Sequence, residues 1–277
     1  MSVTFTSLSP EIGAQTRLLT GVGLLRPDAV AALQAALDAS GVVICHGADL
    51  SDSEFAALGR ALGNPVVPPR GGDPVHPEID TITLDPAKSR LTAVRRGTFF
   101  WHIDGTRDDL PQKATMLLAR QVADADGDTE FASTYAAWKA LPDNEKKQLA
   151  GLRVTHSFTA AQLLANPAPS PKERAAWDTV PTREHPLVWT RSDGRASLLI
   201  GATADQVVGM AHDESRALLE RLLDWSTQDR FTLRHHWHPG DLVIWDNTGM
   251  LHRALPYRQA SACLMRRITF VGEEAVA

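Results

Sequence analysis

Two cysteines in 277 residues, Cys45 and Cys263, are too few for a disulfide framework and suit a reducing compartment. Neither has the surroundings of a nucleophile. No segment approaches the roughly 18 consecutive apolar residues of a membrane-spanning helix. The start, Met1-Ser2-Val3-Thr4-Phe5, lacks the basic stretch and apolar run of a secretion signal, so a cytoplasmic protein without membrane contact is expected. An excess of positive charge is missing too. With 28 basic against 33 acidic residues, the net charge is -5 and the pI near 6.0, and the absence of a basic stripe argues against a nucleic-acid partner. No internal repeat and no low-complexity tract interrupts the chain.

What is present is material for a large core. Hydrophobic residues make up 43% and charged residues 22%, which fits one domain spanning 1–277. Arg26-Pro27-Asp28 opens a helix with Val30, Leu33 and Leu37 on one side, and Gly41 stops it. Val42-Val43-Ile44-Cys45 follows as a buried strand. Ser51-Asp52-Ser53-Glu54 predicts a capping box ahead of Phe55, Leu58 and Leu62, closed by Gly63-Asn64-Pro65. Leu218, Leu219, Leu222 and Leu223 mark a further amphipathic helix. The remaining apolar runs, near 79–85, 98–104, 114–122, 152–159, 185–191, 196–202, 230–237, 242–246 and 264–271, are strand length and bounded by turn residues. This pattern predicts a mainly β fold with flanking helices on a double-stranded β-helix (jelly roll) core.

Two short stretches carry chemistry. In Trp101-His102-Ile103-Asp104-Gly105, strand alternation points His102 and Asp104 to one side and packs Ile103 on the other. The strand-like Asp241-Leu242-Val243-Ile244-Trp245 runs through an Asp246-Asn247-Thr248-Gly249 turn into Met250-Leu251-His252. His252 then closes a third corner from a distant strand. Two imidazoles and one carboxylate on one face of an octahedral ion leave three positions open, the ligand set of non-haem Fe(II) oxygenases.

The order of Trp101-His102-Ile103-Asp104-Gly105, Gly127-Asp128-Thr129, Trp245-Asp246-Asn247 with His252, and Leu264-Met265-Arg266-Arg267-Ile268-Thr269 resembles the taurine dioxygenase and 2,4-dichlorophenoxyacetate dioxygenase family of Fe(II)/2-oxoglutarate enzymes. The resemblance extends from Ile12-Gly13 to Gly272-Glu273-Glu274. It implies Fe(II), 2-oxoglutarate as cosubstrate and O2, with His102, Asp104 and His252 as catalytic metal ligands. It implies Thr129 as a partner of the distal carboxylate of 2-oxoglutarate, and Arg267 as the arginine that holds the anionic head of the substrate. The products implied are succinate, CO2 and a hydroxylated compound, which fragments if the new hydroxyl lies next to a heteroatom.

One departure stands out. The family places the arginine for the distal carboxylate eleven residues after the second histidine, where this chain has Cys263, and a thiol cannot replace a bidentate guanidinium. Strand parity puts Cys263, Met265 and Arg267 on one face and Arg266 on the other unless a bulge intervenes. Either Arg267 is reassigned to the cosubstrate, or another arginine reaches in, or the chain is a non-haem iron protein of the same fold acting without 2-oxoglutarate. The basic stretch 86–98 places Arg95 and Arg96 just ahead of the metal pair, where they can draw in an anion. Gly105 suggests room beside the iron for a bulky anion, though a turn explains it equally. His76 falls where relatives approach their substrate. His236 and His238 share one strand face but lack a third ligand, so a surface feature is expected there. The partners expected are a small-molecule substrate, a carboxylate or sulfonate, and further copies of the chain in a homo-oligomer.

Overall fold

The computed structural model describes residues 3–17, 19–69, 72–83, 96–122, 127–256 and 263–276. In chain order the strands are β1 (Thr6–Ser7), β2 (Ala14–Thr16), β3 (Val42–Cys45), β4 (Asp80–Ile82), β5 (Ala114–Gln121), β6 (Thr129–Ser133), β7 (Arg153–His156) and β8 (Arg183–Pro186). Then follow β9 (Val188–Thr190), β10 (Ala196–Leu198), β11 (Ala204–Val207), β12 (Thr232–His235), β13 (Leu242–Asp246), β14 (Met250–Ala254) and β15 (Leu264–Thr269). A seven-stranded sheet has the order β1-β2-β3-β13-β5-β15-β4, and a three-stranded sheet has the order β12-β6-β14. Only β2 and β3 pair in parallel among these strands.

The two sheets share one core. Val42, Leu117, Ala119, Val243, Trp245 and Met265 from the large sheet meet Phe131, Trp237 and Met250 from the small one. Period-two alternation sends the intervening residues of the large sheet outward, where Met116, Leu118, Leu242 and Ile268 pack on two helices. These are α1 (Pro27–Ser40), ended by Gly41 at φ +71, and α2 (Asp52–Leu62), whose Ser51 and Glu54 form the anticipated capping box.

The described residues hold five more α-helices: α3 (Thr134–Ala140), α4 (Asp143–Leu149), α5 (Phe158–Ala165), α6 (Pro171–Asp178) and α7 (His212–Ser226). Only α7 is expected from the sequence. The other four have seven or eight residues each, barely two turns, and a moment over so few residues resembles that of a strand. The strand expected over 98–104 is a second correction. Arg96–Phe99 is a 3-10 helix, and the chain extends only afterwards, at the isolated bridge from His102 to His252.

A bulge does occur beside β15. Leu264 faces Gln121 while Met265 faces Ala119, so the extra residue, Arg120, sits on β5. Alternation on β15 therefore continues unbroken. Arg266 points outward, where it bonds Thr81, Asp52 and Asp73, while Arg267 lies on the opposite face, bonded to Asp80.

Candidate metal centre

His102 and His252 exchange backbone hydrogen bonds, His102 N to His252 O at 3.0 Å and His252 N to His102 O at 2.8 Å. Their rings come within 4.1 Å, centroid to centroid. Asp104, two residues on, swings its carboxylate between them: Oδ1 lies 3.8 Å from His102 Nε2 and Oδ2 lies 3.7 Å from His252 Nε2. One ligating atom from each of the three falls within 4.8 Å of the others, the spacing that a single ion bridges.

The protonation chemistry favours a cation. His102 Nδ1 sits 2.8 Å from the Phe100 carbonyl, which fixes it as the N–H donor and leaves the Nε2 lone pair facing Asp104. His252 Nδ1 faces the Met250 carbonyl at 3.5 Å. Burial and then the neighbouring His102 ring push the His252 pKa down to about 3, so its imidazole is neutral. Burial works to raise the pKa of Asp104, but His252, His102, Arg267 and a hydrogen bond from Thr115 draw it below the usual carboxylate value. The neutral His252 imidazole, the His102 ring held by its Nδ1 contact and one carboxylate therefore converge. A divalent metal supplies the positive charge that this arrangement calls for.

Outer contacts hold the set in place. Asn247 Nδ2 donates to Thr115 Oγ1 at 2.9 Å, and Thr115 Oγ1 donates to Asp104 Oδ2 at 3.4 Å. Trp245 stands 4.9 Å from the His252 ring, and the Phe131 ring stacks near it at 6.5 Å. Thr115 is the member that sequence reasoning misses, because nothing in its own strand marks it. Asn247 belongs to the Trp245-Asp246-Asn247 motif, which was the available signal.

The remaining candidates separate. His102, Asp104 and Gly105 line a cavity of about 370 Å3. Gly105 has φ +81, and a Cβ there would stand 2.5 Å from Gln112 N, so the turn and the close approach require glycine, whatever room it leaves. Thr129, on β6, is buried and accepts a hydrogen bond from Trp237 Nε1 at 2.9 Å. Arg267 on β15 is bonded to the buried Asp80 at 2.9 Å, and its charge acts on both Asp104 and His252. Cys263 packs against the core between the sheets. His76 is not brought to this cavity: its Nε2 lies 3.1 Å from Ser53 Oγ on α2, on the outer side of the large sheet. Arg95 lies outside the described residues, as does the side chain of Arg96. His236 and His238 are exposed, with His236 bonded to Asp128, while His235, just before them, is buried.

A family model described as taurine catabolism dioxygenase TauD, TfdA family matches residues 4–269. The chain belongs to this family. It is accordingly an Fe(II)- and 2-oxoglutarate-dependent dioxygenase. Among its relatives, the alpha-ketoglutarate (2-oxoglutarate)-dependent 2,4-dichlorophenoxyacetate dioxygenase of Burkholderia sp. (strain RASC) is 31% identical over 98% of this chain and 95% of that one. The alpha-ketoglutarate-dependent sulfate ester dioxygenase of Pseudomonas putida is 30% identical over 97% of this chain and 85% of its own length. Among solved structures, AAD-2 in complex with Mn(II) and N-oxalylglycine superposes with a TM-score of 0.82 at 26% identity, covering 100% of both chains. A taurine dioxygenase from Burkholderia xenovorans follows at 0.81 and 28%, covering 99% of this chain and 91% of that one.

Proposed function

We propose that His102, Asp104 and His252 hold the Fe(II) of this dioxygenase, and that Thr129 and Arg267 hold the distal carboxylate of 2-oxoglutarate. The observation that carries the assignment is the convergence of three ligating atoms within 4.8 Å beside an open cavity. Bound Fe(II) and 2-oxoglutarate supply O2-driven hydroxylation of a substrate C–H bond, with succinate and CO2 as co-products. The protein's part is to orient and to shield. Asp104 remains anionic opposite the ion, Trp245 and Phe131 keep water from the His252 side, and Thr115 fixes the carboxylate. The substrate is a small organic anion, a reading supported by relatives named for phenoxyacetate, phenoxypropionate and sulfate ester substrates. We place this chemistry in one jelly-roll domain of a cytoplasmic protein.

Arg267 supplies the charge that Cys263 does not. It occupies the same face of β15, and its field already reaches two of the three metal-site side chains. That removes the reason to read the chain as acting without 2-oxoglutarate. A charge-assisted pair contributes roughly 1.5–3 kcal/mol, so Arg267→Ala should raise the KM for 2-oxoglutarate by about one to two decades. Cys263→Arg should not tighten 2-oxoglutarate binding, because the position it fills is already served. An unchanged KM in Arg267→Ala, or tenfold tighter binding in Cys263→Arg, would sink the Arg267 assignment.

A further inference from the structure

Part of the wall of the cavity lined by His102 and Asp104 comes from α5. Phe158 and Gln162, one turn apart, lie on the same face of that helix and both line the cavity, with Ala161 beside them. Gln162 is only 7% exposed, yet its side-chain amide has no hydrogen-bond partner among the described residues. Its Nε2 lies against Gly97, on the cavity's edge. The amide atoms are not among the fully buried polar atoms left without a partner, so the group stays open to a molecule in the cavity.

Arg107 borders the same space. Its guanidinium carbon stands 5.3 Å from the centroid of the Phe158 ring, a stacking contact that orients the guanidinium plane without using its N–H donors. Of the other arginines near the site, Arg253 is paired with Glu130, and Arg267, which bonds Asp80, is assigned to the cosubstrate. Arg107 has no carboxylate within 4.0 Å among the described residues, although it lines a cavity. Ile103, Phe158, Ala161 and Ala202 give the lining an apolar patch, beside the polar Thr106, Gln112 and Thr203 and the carboxylate of Asp108. One unpaired cation, one amide without a protein partner and an apolar patch share a volume of about 370 Å3, enough for a small molecule.

We infer that Arg107 and Gln162 are the specificity-determining residues of this enzyme and receive the carboxylate or sulfonate head of its substrate. The apolar body of the substrate lies along Phe158 and Ala161, and the carbon to be oxidised points toward His102 and Asp104. The inference rests on the functional reading above and deepens it. It assigns the substrate anion to an arginine other than Arg267, which remains with the cosubstrate.

The test uses enzyme loaded with Mn(II) and N-oxalylglycine, titrated calorimetrically with 2,4-dichlorophenoxyacetate, taurine and a medium-chain alkyl sulfate. Whichever anion binds the native enzyme most tightly should bind Arg107→Ala about 10- to 100-fold more weakly. Arg107→Lys should recover part of that loss, because it restores the charge but not the planar fork. Gln162→Leu should cost about 3- to 10-fold. The neutral methyl ester of the dichlorophenoxy acid should bind native enzyme and Arg107→Ala alike. Arg107→Gln, which keeps the side-chain volume, serves if the alanine variant does not fold. Anion binding within threefold of native in the Arg107 variants, or no binding of any of the three anions to native enzyme that takes up N-oxalylglycine, overturns the inference. Failure of the native enzyme to bind N-oxalylglycine at all breaks the functional reading instead.

Discussion

His252 on β14 and His235 on β12 flank the same strand, β6, and each anchors a cluster of histidine with aspartate. The clusters are alike in composition and opposite in arrangement. At the metal centre, Asp104 accepts one long hydrogen bond, from Thr115, and its other acceptor sites face His102 Nε2 and His252 Nε2. At the second cluster, Asp241 Oδ1 accepts from Gly47 N and Oδ2 from His238 N, both at 3.1 Å. His46 Nδ1, His235 Nε2 and His238 Nδ1 crowd the same carboxylate at 3.4, 3.3 and 3.5 Å. Its lone pairs are spent on the protein. Among the described residues, only the first cluster brings three ligating atoms within 4.8 Å of one another. Metal competence is decided by where lone pairs point after the backbone has taken its share, and composition alone does not reveal that.

The sharpest way to break the comparison is to remove one acid from each cluster. Asp104→Ala, like His102→Ala or His252→Ala, should weaken Fe(II) binding by more than about 100-fold and abolish succinate formation, because it deletes a proposed ligand but no core volume. Asp241→Asn should leave iron stoichiometry at the native value and instead lower stability by about 2 kcal/mol, since a carboxylate with two charge-assisted backbone bonds is replaced by an amide that must turn N–H groups toward donors. Iron titration and chemical denaturation of both variants decide it. Equal loss of iron in Asp241→Asn would erase the distinction between the clusters.

These outcomes bear on what a sequence discloses. The proposed metal pair was legible because His102 and Asp104 are two residues apart and His252 follows a marked turn, so identity and spacing alone suggested a site. Helices α1 and α2 were legible from Gly41 and from the Ser51–Glu54 box, signals confined to a few neighbouring residues. The short helices α3 to α6 were not, nor was the 3-10 turn before Trp101. The support of Asp104 was also hidden, because the Asn247–Thr115 bond joins residues 132 positions apart. Alternation along His235-His236-Trp237-His238 separates two faces but not which of them meets the core, and the buried member is His235. Likewise, parity placed Arg267 correctly on β15, while the claim of Asp80 on it comes from strand pairing.

A smaller effect sharpens the second cluster by its response to acid. Burial works to raise the Asp241 pKa, but the His235 imidazole beside it and hydrogen bonds from Gly47 and His238 bring it from 3.8 down to about 2. A carboxyl that is more acidic when folded contributes stability above the ordinary value and loses it as the pH falls through the folded one. The stability advantage of native protein over Asp241→Asn should therefore hold steady down to about pH 4 and shrink, by on the order of 1–2 kcal/mol, toward pH 2. A gap that stays constant to pH 2 would show that the charge on Asp241 contributes nothing.

The smallest expected effect lies where the clusters touch. His235 sits edge-on to Trp237 at 4.6 Å, and the Trp237 indole N–H donates to Thr129 Oγ1 at 2.9 Å. An indole can only donate, so it occupies a lone pair of the Thr129 oxygen and leaves the hydroxyl proton free to point at another acceptor. In the proposed site that acceptor is the distal carboxylate of 2-oxoglutarate. Trp237→Phe keeps the aromatic packing but lets the hydroxyl rotate. A neutral hydrogen bond contributes roughly 0.5–1.5 kcal/mol, so the KM for 2-oxoglutarate should rise about 2- to 10-fold while kcat barely moves. In a Thr129→Val background the same substitution should add almost nothing, because the group it orients is gone. Fully additive effects of the two substitutions would mean that the indole acts through packing alone, and that the second cluster lends the metal centre no hydrogen-bonded support.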